Sequence, residues 1–269
     1  MLISQCALLG LLQGFTEFLP VSSSGHLVIA QSLFGWQDPA IAFDVMLHLA
    51  TMAATLVFFR KEIFYLALGW FGGLVSRAGR DHPGWRYGWS VLAGSVATVA
   101  IVLVTRPVIH VFFGNTLFVG LALVFTGAVL WYGNGISVKD GEVSVPTGLM
   151  VGLAQGLAAF PGLSRSGLTI IAGLKSGLGR EEAFSFSFLL SLPAILGAAI
   201  LELPDAGGIS GVSGSLPQGW WIGVLLAFLS GLFALSLLRK VVVRGKWKVF
   251  AVYCLIAGAF VLAVNIFGR

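Results

Sequence analysis

A polar break interrupts an apolar stretch of this chain twice, and the two copies lie 142 residues apart. Gln13–His26 reads Gln-Gly-Phe-Thr-Glu-Phe-Leu-Pro-Val-Ser-Ser-Ser-Gly-His, and Gln155–Leu168 reads Gln-Gly-Leu-Ala-Ala-Phe-Pro-Gly-Leu-Ser-Arg-Ser-Gly-Leu. Self-similarity of this length indicates an internal duplication, which in membrane proteins often relates two halves by pseudo-two-fold symmetry. We therefore predict a single membrane domain, 1–269, built from two repeats of about 1–133 and 147–269.

The composition restricts the chain to the membrane. A mean hydropathy of +0.95, with 57% hydrophobic and only 10% charged residues, excludes an ordinary soluble domain. The net charge of +5 does not indicate nucleic-acid binding, because the basic residues lie at the ends of apolar runs. Cys6 and Cys254 lie within apolar runs and fit no metal or redox spacing, so we interpret them as small buried hydrophobic residues.

The apolar segments predict an all-α polytopic membrane protein with six transmembrane helices and two re-entrant helical hairpins in an inverted-topology repeat. A membrane-spanning helix needs about 20 apolar residues. Six stretches approach that length: Ile41–Phe59, Tyr87–Thr105, Leu117–Gly133, Ala183–Leu201, Trp220–Leu238 and Val249–Phe267. Shorter stretches flank the two breaks at Met1–Leu19, Ser22–Phe34, Thr147–Phe160 and Ser164–Leu178. Irregular backbone at membrane depth requires cover by protein or by a wet cavity, so each flanking pair predicts a hairpin.

The lysines and arginines predict the orientation of the chain. Thirteen of the sixteen lie in the links 60–86, 134–146, 175–182 and 239–248. Cytoplasmic loops carry an excess of these residues, so we place the four links in the cytoplasm. Both termini are then outside, and the two hairpins enter from opposite faces, as an inverted repeat requires.

The first break carries an acid without a local counter-charge. Glu17 lies in a very apolar stretch, and an ionisable residue at hydrocarbon depth is a functional-site candidate. Gln13 and Glu17 are four residues apart and share one helix face. An amide oxygen and a carboxylate suit a hard cation such as Mg²⁺, which keeps several waters. The structural alternative for Gln13 is a hydrogen bond to a neighbouring helix.

Three hydroxyls and an imidazole complete the first break. Ser22–Ser24 precede an apolar helix, where hydroxyls cap the N-terminus and free N–H groups attract anions. His26 lies on the first turn of that helix and is a candidate nucleophile or general acid–base, with a purely structural histidine as the alternative. Asp44 and His48 lie four residues apart on the first full span, and we treat them as weaker candidates for the same cavity.

The second break supplies the positive charge. Ser164, Arg165 and Ser166, with Thr169 one turn later, combine a planar bidentate donor, hydroxyls and a helix N-terminus. That set matches phosphate or diphosphate in geometry and charge. The alternative is that Arg165 forms a structural ion pair with Glu17. Both roles are compatible if the pair opens when substrate arrives.

These motifs resemble those of the bacterial undecaprenyl-diphosphate phosphatase family, also called UppP or BacA, the bacitracin resistance protein. The first family motif is (Glu/Gln)-x-x-x-Glu followed by Pro-Val-Ser-Ser-(Ser/Thr)-Gly-His, and it stands here as Gln13–Glu17 and Pro20–His26. The second motif, Pro-Gly-x-Ser-Arg-Ser-x-x-Thr, stands as Pro161–Thr169. The resemblance covers essentially the whole chain. Gln13 takes the place of a glutamate found in other members, which leaves one fewer acid for a metal.

The resemblance implies a multi-pass enzyme of the bacterial plasma membrane with its active site on the periplasmic side. Such an enzyme hydrolyses undecaprenyl diphosphate to undecaprenyl phosphate and inorganic phosphate, which recycles the lipid carrier of peptidoglycan synthesis and confers bacitracin resistance. The implied catalytic residues are Ser23, His26 and Glu17, and Glu17 and Gln13 are the implied ligands of a divalent cation. Mg²⁺ is the expected cation, with Ca²⁺ and Mn²⁺ as alternatives. The diphosphate is expected to contact Arg165, Ser164, Ser166, Thr169, Ser22 and Ser24.

Two choices stay open at the level of sequence. The nucleophile is Ser23, His26 or water, and Ser23 is favoured because it aligns with Arg165 in the duplication. The second choice concerns function, because inverted repeats with broken helices are also typical of secondary transporters. A lipid-phosphate or anion transporter or flippase is therefore the alternative. The expected partners are a polyprenyl diphosphate and membrane lipids, no nucleic acid is expected, and a homodimer is compatible with the sequence.

Overall fold

The computed structural model describes residues 2–35, 41–112, 115–202, 204 and 214–267, with residue 110 described by its backbone alone. Within these ranges the chain forms eleven α-helices, one 3₁₀ turn at Ala78–Asp81 and no strand. The helices are α1 (Ile3–Phe18), α2 (Ser23–Leu33), α3 (Ile41–Phe58), α4 (Arg60–Val75), α5 (Pro83–Phe112), α6 (Thr116–Gly133), α7 (Val145–Leu157), α8 (Arg165–Lys175), α9 (Arg180–Glu202), α10 (Trp220–Val243) and α11 (Lys248–Phe267).

Six helices are long and apolar enough to cross a membrane, and they are the six that the sequence predicts. They are α3, α5, α6, α9, α10 and α11. Their outward-facing residues are large and apolar, as expected for a surface in contact with lipid. The chain is therefore an all-α, multi-pass membrane protein.

Several predicted boundaries are wrong by a few residues, among them the ends of α5 and α7. The span predicted to end at Thr105 is α5, which continues through Phe112 with Pro107 inside it. A proline removes one backbone donor and crowds the carbonyl four residues earlier, which costs stability but does not forbid a helix from continuing past it. Thr147–Phe160 is predicted to form one helix, but α7 ends at Leu157, three residues earlier. The segment 202–219, between the predicted spans Ala183–Leu201 and Trp220–Leu238, lies largely outside the described residues, as do Met1 and Arg269.

Both helix breaks are covered by protein. The carbonyl of Pro20, between α1 and α2, accepts a hydrogen bond from Cys254 Sγ of α11 at 3.5 Å. The carbonyl of Gly162, between α7 and α8, accepts one from Thr126 Oγ1 of α6 at 3.3 Å. Thr126 Oγ1 also accepts from the backbone N–H of Ser164 at 3.1 Å. The irregular backbone at each break thus has the internal hydrogen bonds that a hydrocarbon environment demands.

Small residues bring the long helices together. The most extensive helix contacts are α6 with α11, α1 with α10 and α5 with α7. At each of these crossings a glycine of one helix faces a glycine of the other, in the pairs Gly120–Gly258, Gly10–Gly223 and Gly94–Gly152. Close backbone approach over small residues is how helices associate in lipid, where apolar surface alone gives no preference for protein over acyl chains.

Replacing Gly152 by alanine should destabilise the protein. An added Cβ would lie 2.2 Å from the Gly94 carbonyl oxygen, so α5 and α7 would have to separate. Overpacking of this kind costs about 1–3 kcal/mol, and we expect a lower thermal midpoint in detergent. The matched control is Gly197→Ala in α9, where nothing lies within 4 Å of the added atom. An unchanged midpoint in Gly152→Ala would contradict the close crossing.

Candidate active site

Glu17 is the centre of the site, and it joins the two halves of the chain. It lies in the last turn of α1 and is 7% exposed. Its Oε1 accepts a hydrogen bond from Arg165 Nη2, the first residue of α8. Its Oε2 accepts from Ser23 Oγ at 2.6 Å and from Gln13 Nε2 at 3.1 Å. The acid of one break and the guanidinium of the other therefore form a buried ion pair, and both neighbours of Oε2 come from the first break.

The serines of the first break shape the start of α2. Ser22 is the N-cap, and its Oγ accepts from the backbone N–H of Gly25 at 3.3 Å. Hydroxyl capping of this kind satisfies a free N–H of the first turn. Ser24 Oγ lies 3.4 Å from Ser22 Oγ. Ser23 is thereby left to turn toward Glu17 instead of capping the helix.

The second break repeats this capping pattern. Ser164 Oγ accepts from the N–H of Gly167 at 3.2 Å, and Ser166 Oγ lies 3.4 Å from Ser164 Oγ. Thr169 does not face the ion pair: its Oγ1 donates to the Arg165 carbonyl at 2.7 Å and lies 2.5 Å from Ser187 Oγ. Thr169 is fully buried. In this arrangement Thr169 supports the backbone of Arg165, and its role as a diphosphate ligand stays a prediction.

Two buried polar atoms beside Glu17 have no hydrogen-bond partner among the described residues. They are Gln13 Oε1 and Arg165 Nη1. A buried polar atom without a partner costs about 1–3 kcal/mol, so each position favours a ligand that satisfies it. The amide oxygen calls for a donor or a cation, and the guanidinium N–H calls for an acceptor or an anion. The pair of open positions fits a cation and a phosphate group bound side by side.

The residues at the site also define what kind of cation they suit. In the described part of the chain, no three His, Cys, Asp or Glu side chains are grouped as a ligand set. Gln13 Oε1 and the Glu17 carboxylate are the available oxygens, a small set suited to an ion that keeps waters and takes substrate oxygens, as Mg²⁺ does. Arg165 neutralises Glu17 in this arrangement, so a cation at this position would compete with the guanidinium for the carboxylate.

His26 lies in α2 one turn from Ser22, and it turns away from Ser23. Its Nδ1 lies 2.8 Å from the Ser22 carbonyl oxygen, and its Nε2 lies 2.7 Å from the hydroxyl of Tyr253. No hydrogen bond joins Ser23 and His26 in the described structure. The partner of Ser23 is Glu17, so the structure brings the serine and the acid together, with the imidazole beside them on another hydrogen-bond network.

Three further side chains lie near the site: Asp44 and His48, which the sequence made weaker candidates, and Tyr253, which it did not mark. His48 Nε2 lies 3.7 Å from Glu17 Oε2, and Asp44 accepts two hydrogen bonds from Gln31 Nε2 at 2.9 and 3.0 Å. Their four-residue spacing was the signal that placed them in one cavity. Tyr253 lies 227 residues from His26 within an apolar span, where no local pattern marks it.

Comparison with known proteins identifies close relatives along the whole chain. The sequence profile of the family described as "Bacitracin resistance protein BacA" matches residues 6–260. A protein of Desulfosudis oleivorans named undecaprenyl-diphosphatase is 42% identical over 97% of this chain and 98% of its own. Proteins with the same name from Thermomicrobium roseum and Methanosphaera stadtmanae are 38% and 36% identical, each over 98% of this chain and over 99% and 98% of their own chains.

Proposed function

This chain belongs to the bacitracin resistance protein BacA family, and from that premise we propose that it hydrolyses undecaprenyl diphosphate to undecaprenyl phosphate and inorganic phosphate. The observation that carries the proposal is the buried Glu17–Arg165 pair, flanked by an open acceptor on Gln13 and an open donor on Arg165. Phosphoryl transfer is catalysed chiefly by positioning and by charge neutralisation around the transferring group. In the cell this reaction recycles the lipid carrier for peptidoglycan synthesis and confers resistance to bacitracin.

We propose that Ser23 is the nucleophile and that Glu17 receives its proton. Ser23 Oγ already donates to Glu17 Oε2 at 2.6 Å, which is the contact that general-base activation needs. Arg165 exchanges Glu17 for the terminal phosphate, and its planar fork binds two phosphate oxygens. The serine oxygen then forms a bond to the terminal phosphorus as the bond from phosphorus to the bridging oxygen breaks. Undecaprenyl phosphate leaves with that oxygen.

The second half of the reaction returns the enzyme to its starting state. Water attacks the phosphoserine phosphorus, the bond from phosphorus to Ser23 Oγ breaks, Glu17 returns its proton to the serine oxygen, and inorganic phosphate leaves. His26 is the proposed acceptor of the water proton in this step, and it then releases that proton to bulk water. Its location beside Ser22, at the start of the same helix, supports that role. The alternatives to the serine nucleophile are His26 and water, either of which would attack the terminal phosphorus of the substrate directly.

The proposed cofactor is Mg²⁺, held by the Gln13 amide oxygen and the Glu17 carboxylate, with Ca²⁺ and Mn²⁺ as alternatives. The unpartnered, buried Gln13 Oε1 supports this assignment. When bound, the cation neutralises negative charge on the transferring phosphoryl group. Gln13 and Glu17 lie on one face of α1, and a hydrogen bond of 3.1 Å from Gln13 Nε2 to Glu17 Oε2 holds the two side chains together.

We also propose that the fold is an inverted-topology repeat with re-entrant hairpins α1–α2 and α7–α8. The 142-residue correspondence of the sequence extends to the hydrogen bonds. The carbonyls of Pro20 and Gly162 correspond, and each accepts a hydrogen bond from the last helix of the other half. Ser22 and Ser164 also correspond, and each caps the N–H three residues on. The helix contacts exchange in the same way, because α1 packs on α10 as α7 packs on α5.

The lysine and arginine distribution supports a site that faces the periplasmic side of the bacterial plasma membrane. The proposed substrate is a polyprenyl diphosphate whose chain lies in the lipid between helices. A homodimer stays a prediction, and light scattering of the purified protein in detergent tests it.

A transporter or flippase that uses the same cavity is not favoured. The relatives that match this chain over its whole length carry the name of a hydrolase. The short contact from Ser23 to Glu17 also has no function in simple anion binding, because a carboxylate beside the anion repels it.

Release of inorganic phosphate from undecaprenyl diphosphate by the purified protein tests the proposed function. We expect release in detergent with Mg²⁺ and loss of release with EDTA. Binding of the lipid without release under either condition would contradict hydrolysis and would favour transport. Release that EDTA does not affect would retain the phosphatase and contradict the cation site.

A further inference from the structure

The tyrosine that contacts His26 comes from the opposite end of the chain. Tyr253 lies in α11, and its ring stacks on the imidazole at an interplanar angle of 13° with centroids 5.7 Å apart. Its hydroxyl lies 2.7 Å from His26 Nε2. The side chain is 45% exposed in a helix that faces the lipid. The hydroxyl of Tyr253 thus contacts the proposed active site, while part of its ring is exposed on the outer face of the helix bundle. A tyrosine that only fills space would not need this hydroxyl contact.

The two contacts of the imidazole determine where its proton is. The Ser22 carbonyl oxygen accepts hydrogen bonds and cannot donate them, so Nδ1 must carry the proton in the 2.8 Å contact. In neutral His26 the other nitrogen, Nε2, is then unprotonated and accepts from the Tyr253 hydroxyl. The nitrogen that can take up a proton is therefore the one that Tyr253 contacts.

The backbone around these contacts is fixed from the same helix. Cys254, the next residue of α11, donates to the Pro20 carbonyl at 3.5 Å. Ser22 has φ of 71°, and among the described residues it is the only non-glycine residue with a positive φ. Its counterpart Ser164 makes the same cap with φ of −84°, in the half that carries Leu168 in place of the imidazole. The positive φ therefore occurs at the capping serine whose carbonyl also accepts a hydrogen bond from a histidine.

We propose that Tyr253 is the positioning residue of His26: with the Ser22 carbonyl it fixes the orientation and tautomer of the imidazole, and its hydroxyl holds Nε2 ready until substrate or water takes its place. The inference rests on the proposed function, because it assigns His26 a part in turnover. Tyr253 acts through His26 and not on the diphosphate. It should therefore affect the rate of turnover more than the binding of substrate.

The test is Tyr253→Phe, which removes the hydroxyl and keeps the ring that stacks on His26. We expect kcat for undecaprenyl diphosphate to fall about tenfold, the effect of losing roughly one hydrogen bond, with KM changed less than about twofold. The thermal midpoint should stay close to that of the wild type. In protein labelled with ¹⁵N-histidine, the Nε2 signal of His26 should move toward the position of a nitrogen without a hydrogen bond, and the Nδ1–H signal should remain.

Tyr65→Phe is the matched control. Tyr65 also lies against a histidine, His82, with ring centroids 4.4 Å apart, and this histidine bonds to the backbone of Gly84. Among the described residues, no hydrogen bond or ring contact joins this pair to Glu17 or to His26. We expect wild-type kcat in that variant. Wild-type kcat or an unmoved Nε2 signal in Tyr253→Phe would overturn the proposal. The nitrogen signals do not depend on hydrolysis, so a failure of the proposed function and a failure of this inference are distinguishable.

Discussion

Arg165→Ala should reduce phosphate release by about 10³-fold or more, because the guanidinium is the proposed counter-charge of the transferring phosphoryl group. Within the described residues, two basic side chains lie against Glu17: Arg165 and His48. Arg165 Nη1 has no partner within the described residues, so it is available to a phosphate oxygen. The measurement is the initial rate of phosphate release by the purified variant, with the thermal midpoint measured on the same preparation.

Arg165 also neutralises a buried acid, so Arg165→Ala is expected to lose stability as well as activity. A double-mutant cycle with Glu17 measures how much of the lost stability comes from this ion pair. Removal of one partner of a buried ion pair costs about 3–5 kcal/mol, since the other charge is left without compensation. We expect Arg165→Ala and Glu17→Gln each to lower the thermal midpoint and the double variant to recover part of the loss. All three variants should remain strongly impaired in phosphate release.

Arg165→Lys separates charge from geometry. Lysine keeps the positive charge but lacks the planar fork that binds two phosphate oxygens at once. We expect the lysine variant to approach the wild type in stability and to remain strongly impaired in turnover. Full activity in Arg165→Ala would remove the phosphate clamp from the mechanism and leave only the structural ion pair.

Glu17→Gln should reduce phosphate release by about 10²–10⁴-fold, because an amide cannot accept the proton that Ser23 gives up. The residual activity should no longer respond to Mg²⁺ or to EDTA, since the proposed cation loses its only charged ligand. A Mg²⁺ titration of phosphate release in both proteins measures this. An unchanged titration in the variant would mean that the cation binds elsewhere.

Glu142→Gln is the control for Glu17→Gln. Glu142 forms an ion pair with Arg86 at 2.7 Å, and the two side chains are 76% and 61% exposed. An exposed ion pair contributes about 0–1 kcal/mol, so removal of this charge should leave stability nearly unchanged. We expect wild-type release and a wild-type Mg²⁺ response, which would assign the effects at Glu17 to its position and not to the loss of one negative charge.

The helix ends show where local patterns stop being sufficient. Length and apolar character predicted the six spans, because a bilayer imposes both on any helix that crosses it. The end of α5 was wrong by several residues, since a proline at Pro107 disfavours a helix locally without forbidding it. One of Ser22–Ser24 was expected to cap its helix, and Ser22 does; Ser164, which was predicted as a diphosphate contact, caps α8 in the same way.

At the site, the residue types were evident from the sequence, but the contacts between them were not. The residue types at both breaks indicated an acid, a phosphate-binding arginine and a nucleophile, and the structure brings Glu17, Arg165 and Ser23 into contact. The partner of Ser23 was not evident from the spacing, because Glu17 and Ser23 belong to different helices whose angle depends on the break between them. His26 is closer to Ser23 in sequence, but its two nitrogens bind Ser22 and Tyr253.

The sequence by itself determined the membrane class, the six spans, the similarity of the two breaks and the residue types available at each of them. These follow from hydropathy, from local capping and from a comparison of the chain with itself. Only the tertiary structure decided that Glu17 binds Arg165 and that Tyr253 of the last helix contacts His26. Such partners depend on how closely helices approach over glycine faces such as Gly120 and Gly258, and that distance is a property of two surfaces together, which no single stretch of sequence contains.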